Sequence, residues 1–151
     1  MQVNQAQLEI IKLFAKQLGY ENSADVDDKG FALVIDNKVQ INILNQEERC
    51  HLIAYLAPIK EENRIELYET LLLANHNQDE LAGASLGICP KKKAVALSFC
   101  LESEGLDLSR LQQAFDNLLD HSLLWHTLLN ANEAQPLPGE EQPLSSHAIL
   151  V

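Results

Sequence analysis

The feature that most constrains this chain is a succession of short segments, between residues 31 and 57, in which apolar and polar residues alternate. The segments FALVID and KVQINILN lie on either side of Asp36 and Asn37, a pair that suits a tight hairpin turn. A third segment, RCHLIAYLA, follows directly and is ended by Pro58. Consecutive short strands with tight connections predict an antiparallel meander.

Helical spacing of apolar residues precedes and follows this meander. Asn4, with Gln7 three residues later, resembles a helix start, and Gly19 offers a left-handed stop, so a first helix is predicted over residues 5–18. A second helix is predicted from Glu61 to Asn75.

The second predicted helix has two apolar flanks. Ile65, Tyr68 and Leu72 lie on one of them, and the other consists of Leu67, Leu71 and Ala74. An apolar arc of this width exceeds a single contact, so a second copy of the chain is one candidate for covering part of it. A purely intramolecular core is the alternative.

A long third helix is predicted after residue 107. Asp107 is the better N-cap candidate, although Ser109 with Gln112 offers a competing capping box. The predicted core stripe of this helix consists of Leu108, Leu111, Phe115, Leu118, Trp125 and Leu129.

The segment ASLGICPKKKAVALSFCL, residues 84–101, predicts two further strands joined by a turn at residues 90–93. If that turn forms, Cys89 lies opposite Ala94, and Cys100 lies on the order of 20 Å farther along its strand. A disulfide needs Cα atoms within about 7 Å, so these cysteines are not expected to pair. With Cys50 they are predicted to act as small apolar fillers.

Charge and composition exclude several classes of partner. Lys and Arg total 11 against 22 Asp and Glu, so the net charge of −11 repels nucleic acid and anionic membrane surfaces. No segment approaches the roughly 18 apolar residues of a membrane span. The odd cysteine count of 3 fits a reducing compartment, so the sequence predicts a cytoplasmic protein.

No catalytic, metal or cofactor motif is found. His121 and His126 are five residues apart, which places them on different sides of a helix, and the sequence lacks CxxC, HExxH, calcium-loop, P-loop and G-x-S-x-G motifs. The histidines are predicted to be solvated, and the lysine run 91–93 is predicted to be a hairpin tip. We therefore predict neither enzymatic activity nor a cofactor.

The predicted order is α-β-β-β-α-β-β-α, an α/β fold of the α+β sandwich type with a mainly antiparallel twisted sheet and flanking helices. Within this order, a more specific pattern is formed by the end of the second helix at Leu71, Leu72, Leu73 and Asn75, the strand segments 83–87 and 95–101, and the helix opening at 105–107 with Leu111, Phe115 and Trp125. With this pattern, the chain resembles the class I type III secretion chaperones, the Tir chaperone family, over about residues 5–130.

That resemblance implies a homodimer that holds the N-terminal region of one or more secreted effectors in an extended form and delivers it to the export apparatus, with the secretion ATPase as a candidate partner. It implies a chaperone domain at residues 1–131. The segment 132–151 lies outside the resemblance, and its three prolines and one glycine among polar residues predict a flexible tail. The resemblance also implies a dimer contact through the second helix and the neighbouring hairpin strand, at Leu67, Leu71, Leu72, Ala74, Leu86 and Ile88. A YbjN-like regulatory or binding domain without a secretion client is the alternative.

A surface for such an extended client follows from strand chemistry. An unpaired sheet edge offers backbone hydrogen bonds, and alternate side-chain pockets select apolar residues. The early meander, with the first helix as a wall, is the predicted supplier. The predicted client-contacting residues are Ile11, Phe14, Phe31, Leu33, Ile35, Val39, Ile41, Ile43, Leu52 and Leu56, with Ala54 on the same strand face. Each of them also fits a core position, and the sequence does not decide which alternating set faces the core.

Overall fold

A computed structural model describes residues 4–19 and 26–131 of the chain. Within them the predicted order of elements is confirmed, and the predicted tail at 132–151 lies outside. The elements are α1 (Gln5–Gln17), β1 (Gly30–Ile35), β2 (Val39–Asn45), β3 (Arg49–Pro58), α2 (Arg64–His76), β4 (Ser85–Cys89), β5 (Ala94–Glu102) and α3 (Leu108–Leu129).

The strands of the described residues form one antiparallel sheet in the order β1-β2-β3-β5-β4. The hairpin between β1 and β2 is confirmed at the predicted pair, because Asp36 and Asn37 have φ values of 54° and 55° and the Lys38 N–H donates to the Ile35 carbonyl. Gly30 begins β1 with a φ of 120°, where a Cβ would lie 1.8 Å from the Ile43 carbonyl oxygen. Only glycine fits there.

Two helix starts are confirmed by their caps. The Asn4 side chain accepts a hydrogen bond from the Gln7 N–H at the start of α1. The Asp107 side chain accepts one from the Arg110 N–H at the start of α3, so Asp107 is the N-cap and the competing box at Ser109 is not used.

The second helix begins later than predicted. Residues Glu61–Asn63 form a 3-10 turn, and α2 begins at Arg64. Asn63 has φ −127° and ψ 26°, outside the helical region, which interrupts a continuous helix from residue 61. A second 3-10 turn, Gln78–Leu81, leads from α2 towards β4.

Helices α1 and α3 pack on one face of the sheet and enclose a single hydrophobic core. Phe14 of α1 and Phe115 of α3 meet edge to face with ring centroids 5.0 Å apart. The predicted stripe of α3 is confirmed: Leu111, Phe115, Leu118 and Trp125 are buried, and Leu108 and Leu129 pack against them half-buried.

A buried polar cluster fixes α1 against the sheet. The side chain of Gln7, only 2% exposed, donates from Nε2 towards Asn45 Oδ1 at 2.7 Å and towards the carbonyls of Gln46 and Arg49 at 2.9 and 3.0 Å. Ser103 Oγ donates to Gln7 Oε1 at 2.5 Å. The amide thereby joins the start of α1, the β2–β3 turn and the segment after β5, and its own polar atoms are satisfied.

The cysteines differ in their surroundings. All three are free thiols. Cys50 is buried on the core side of β3 and fills space as predicted, whereas Cys100 is exposed and Cys89 is half-buried on the other side of the sheet. The prediction that Cys100 is a small apolar filler is therefore wrong, because its strand face is not covered by α1 or α3.

Candidate functional site

The residues predicted to contact a client lie in or against the hydrophobic core. Ile35 is half-buried, and the others are buried: Ile11, Phe14, Phe31, Leu33, Val39, Ile41, Ile43, Leu52 and Leu56, together with Ala54. Their side chains pack against α1, α3 and one another. Their direct contact with a client stays a prediction, and the folded chain does not present them on its surface.

The alternate residues of β1, β2, β3 and β5 form the other side of the sheet, which we call the open face. Its residues are exposed or half-buried, and Val34 is 57% exposed. The open face consists of Ala32, Val34, Gln40, Asn42, Leu44, His51, Ile53, Tyr55, Ala96, Ser98 and Cys100. These residues include no Asp, Glu, Lys or Arg, whereas Arg49 and Glu102, which pair at one end of β3 and β5, lie on the same side of the sheet at its margin.

Two titratable groups of the open face, His51 and Tyr55, are held in their uncharged forms. Burial, and then the nearby Arg49 guanidinium, lower the pKa of His51 from its usual 6.5, so its imidazole is neutral at pH 7. Burial, and then the charge of Cys89, raise the pKa of Tyr55, whose ring carries Lys92 Nζ at 4.6 Å from its centroid. The middle of this face therefore suits apolar and neutral hydrogen-bonding contacts.

A groove crosses the open face from β3 to β4. Its cavity volume is about 270 Å³, and its floor is made of small side chains on β4 and β5, including Gly87, Ala96 and Ser98. Ile53 and Tyr55 line it from β3, and Ile88 lines it from β4. Small residues in the floor allow another polypeptide to approach the sheet closely.

The outer edge of β1 offers backbone hydrogen bonds. Lys29 accepts from the Asn45 N–H, and alternation along an antiparallel pair then directs the N–H and C=O groups of Phe31, Leu33 and Ile35 to β2 and those of Ala32 and Val34 outwards. Among residues 4–19 and 26–131, no strand pairs with this edge. An extended segment could add there as a further strand.

Helix α2 keeps one of its two apolar flanks exposed. Of the residues predicted for a dimer contact, Leu71, Ala74 and Leu86 are buried and Leu67 is half-buried. In contrast, Leu72 is 72% exposed and Ile88 is 38% exposed. The other exposed apolar side chains of this flank are Ile65 and Tyr68. The intramolecular core therefore accounts for one flank of α2, and the flank with Ile65, Tyr68 and Leu72 faces outwards.

The three thiols should react in an order set by burial. Burial, and then the charge of Cys100, raise the pKa of the Cys50 thiol to about 12, so it is protonated and inaccessible at neutral pH. We expect iodoacetamide to modify Cys100 in the folded protein and Cys50 only after unfolding, as measured by mass spectrometry of peptides. Denatured protein is the control, in which all three should react, and alkylation of native Cys50 at the rate of Cys100 would contradict the assignment of the core face.

The described residues contain neither a metal-binding cluster nor a membrane-spanning helix. Among residues 4–19 and 26–131, no group of three His, Cys, Asp or Glu side chains is arranged to hold a metal ion. His121, predicted to be solvated, has its two ring nitrogens 2.7 Å from the carbonyl oxygens of Asn117 and Glu80. None of the helices described combines the length and apolarity needed to cross a bilayer.

Two features of these surfaces were not predicted. The residues predicted to contact a client form the core set, and the prediction does not include the open-face residues Val34, Ile53 and Tyr55. The apolar character of both alternating sets in FALVID and HLIAY concealed the difference. Ile65 and Tyr68 were recognised as one flank of α2 but not assigned to a contact, and their spacing with Leu72 was the available signal.

The fold has counterparts among solved structures. A chain of the ExsC–ExsE complex matches with a TM-score of 0.70 at 23% identity, covering 85% of this chain and 97% of that chain. A chain of the HopA1–SchA chaperone–effector complex matches with 0.62 at 24% identity, covering 83% and 98%. One from the complex of the Yersinia pestis type III secretion chaperone SycH with a YscM2 fragment matches with 0.56 at 16% identity, covering 78% and 97%.

These identities are low, so the structural matches concern the fold. A search of curated proteins found no significant match. The family model described as Tir chaperone protein (CesT) family matches residues 9–126, most of the 151-residue chain. The chain therefore belongs to the Tir chaperone protein (CesT) family.

Proposed function

We propose that this protein is a type III secretion chaperone that binds the N-terminal region of one or more secreted effectors and keeps it extended. Membership of the Tir chaperone family supports this proposal, as does the likeness in fold to chains of a complex described as chaperone–effector. In this proposal the protein acts in the bacterial cytoplasm, delivers its client to the secretion ATPase and catalyses no reaction itself.

The observation that carries client binding is the outer edge of β1. The outward backbone groups of Ala32 and Val34 supply donors and acceptors, and Val34 exposes an apolar side chain beside them. Strand addition uses such an edge, because main-chain hydrogen bonds give affinity to any extended segment and side-chain pockets add selectivity. The neighbouring open face, whose central strand residues include no Asp, Glu, Lys or Arg, extends the contact to apolar residues of the client.

A homodimer is part of the same proposal. The exposed flank of α2 with Ile65, Tyr68 and Leu72 presents large apolar side chains that a second copy of the chain would cover. Ile88 of β4, adjacent to α2, extends this surface. A dimer would offer an effector two β1 edges, which suits a long client that wraps around its chaperone.

Client binding can be tested by co-expression with N-terminal fragments of candidate effectors encoded near the gene. The fragments that co-purify are then mapped by limited proteolysis, which identifies the protected segment. Recovery of a protected, extended N-terminal segment is the expected result. Failure to recover any such segment under inducing conditions would favour the YbjN-like alternative.

The β1 edge can be tested within that complex by Val34→Pro. Proline removes the outward N–H and its ring obstructs a pairing strand, while no hydrogen bond to β2 is lost. We expect client affinity to fall by about tenfold or more, as measured by calorimetry with the mapped segment. Val34→Thr keeps the N–H and the branched side chain and serves as the control. Equal affinity in a correctly folded Val34→Pro variant would show that the client does not pair with this edge.

A further inference from the structure

The two edges of the sheet are treated differently by the fold. At one end of the order β1-β2-β3-β5-β4 the outward groups of Ala32 and Val34 have no pairing strand among the described residues. At the other end, α2 lies alongside β4 and places a side-chain amide on the strand. An edge strand with unpaired backbone groups is a template for any extended segment, so this difference bears on where such a segment can bind.

The amide on β4 belongs to Asn75, in the last turn of α2. Its Nδ2 donates to the carbonyl oxygen of Leu86 at 2.8 Å, and its Oδ1 accepts from the N–H of Leu86 at 2.8 Å. A carboxamide presents a donor and an acceptor side by side, so it reproduces the pair of bonds that an antiparallel neighbour would make to one residue. Leu71 and Ala74, which are buried, hold this part of α2 in place.

The position of Leu86 makes this contact effective. The pairing of β4 with β5 joins Ser85 to Ser98, Gly87 to Ala96 and Cys89 to Ala94. The backbone of Leu86 bonds to Asn75 on the side away from β5. Along this five-residue strand, the backbone groups that point outwards are therefore those of Leu86 and Ile88. With Leu86 occupied, the outward groups that remain are those of Ile88 near the strand end, which is too short a stretch for a ladder.

We infer that Asn75 closes the β4 edge to strand addition and so directs an extended client to the β1 edge. In this inference Asn75 is a positioning and specificity-determining residue. The part of the inference that concerns an effector client rests on the proposed function. Its structural part, closure of an edge by one amide, does not depend on the client. Removal of the amide should open β4 to pairing with other chains.

The test compares Asn75→Ala, which removes both bonds, with Asn75→Asp, which keeps an acceptor for the Leu86 N–H and loses the donor to its carbonyl. In Asn75→Ala we expect amide hydrogen exchange at Leu86, followed by NMR, to accelerate by about tenfold. Exchange at Leu97, an interior amide of β5, should stay unchanged. In Asn75→Asp the Leu86 amide should stay within about threefold of its original rate.

Sedimentation velocity over a range of protein concentrations measures the opened edge. We expect Asn75→Ala to form species larger than those of the unaltered protein as the concentration rises. Asn63→Ala is the matched control, because Asn63 lies at the start of the same helix and makes no side-chain capping bond. It should change neither exchange at Leu86 nor association.

Several outcomes would overturn the inference. Unchanged exchange at Leu86, or faster exchange with no added association, would show that the amide does not guard the edge. Uniform acceleration across the sheet, or failure of both Asn75 variants to fold, would place Asn75 in the stability of the fold instead. None of these measurements uses a client, so failure to find one would count against the proposed function and leave this test intact.

Discussion

Replacement of Ile41 by alanine is expected to lower the free energy of unfolding by about 2–5 kcal/mol. Ile41 is fully buried in β2, between the strands that carry Leu33 and Ala54, so its truncation leaves a cavity in the core. Urea denaturation monitored by Trp125 fluorescence measures the loss. The effect is large because Ile41, one of the residues predicted to contact a client, serves the packing of the fold.

Ile53→Ala is the matched control for this substitution. Ile53 lies in the adjacent strand β3, half-buried on the open face. Its replacement by alanine should lower the free energy of unfolding by about 1 kcal/mol. The comparison therefore separates the two faces of the sheet with one kind of substitution. Similar losses at both positions, or a larger loss at Ile53, would contradict the assignment of the core face.

Replacement of Leu72 by aspartate is expected to dissociate the proposed dimer. Leu72 is 72% exposed in the single chain, so the change should leave the fold intact, but it would bury a carboxylate without a partner in the interface. We expect association to weaken by at least about 100-fold. Light scattering at micromolar concentration should then report the 16.9 kDa mass of one chain, in place of about twice that mass.

Leu73→Asp provides the control for the dimer. Leu73 is the next residue of α2 and is 43% exposed, and it points about 100° away around the helix. It should leave the mass unchanged. A monomer before any substitution, or a dimer that survives Leu72→Asp, would remove the exposed flank of α2 from the proposal.

The features predictable from the sequence are those that local chemistry determines. Asp36 and Asn37 accept positive φ more readily than most residues, so these two residues are enough to predict the turn between β1 and β2. Asn4 and Asp107 cap helices with their own side chains, and Pro58 ends β3. Each of these signals acts within a few residues, and together they establish the order of elements that the structure confirms.

The side of the sheet that faces the core could not be predicted in this way. In β1 both alternating sets are apolar, with Phe31 and Leu33 on one face and Ala32 and Val34 on the other. The choice between them is made by α1 and α3, which pack across the strands from distant parts of the chain. Periodicity shows that there are two faces, but the packing of helices decides which of them is buried.

The polar contacts at Gln7 and Asn75 lay beyond sequence analysis for a related reason. Gln7 meets Asn45 and Ser103, which are 38 and 96 residues away along the chain. Asn75 bonds to backbone groups of Leu86, which every residue type possesses, so no particular letter identifies its partner. Such contacts become visible only when the tertiary arrangement is known.

The absence of Asp, Glu, Lys and Arg from the central part of the open face affects how contacts there respond to ionic strength. Coulombic attraction between exposed charges weakens as the Debye length shortens, whereas apolar burial does not weaken in this manner. A complex seated on Val34, Ile53 and Tyr55 would accordingly persist in strong electrolyte, where associations driven by the acidic remainder of the chain come apart. Raising the ionic strength therefore distinguishes apolar binding at the open face from electrostatic binding elsewhere on the same chain.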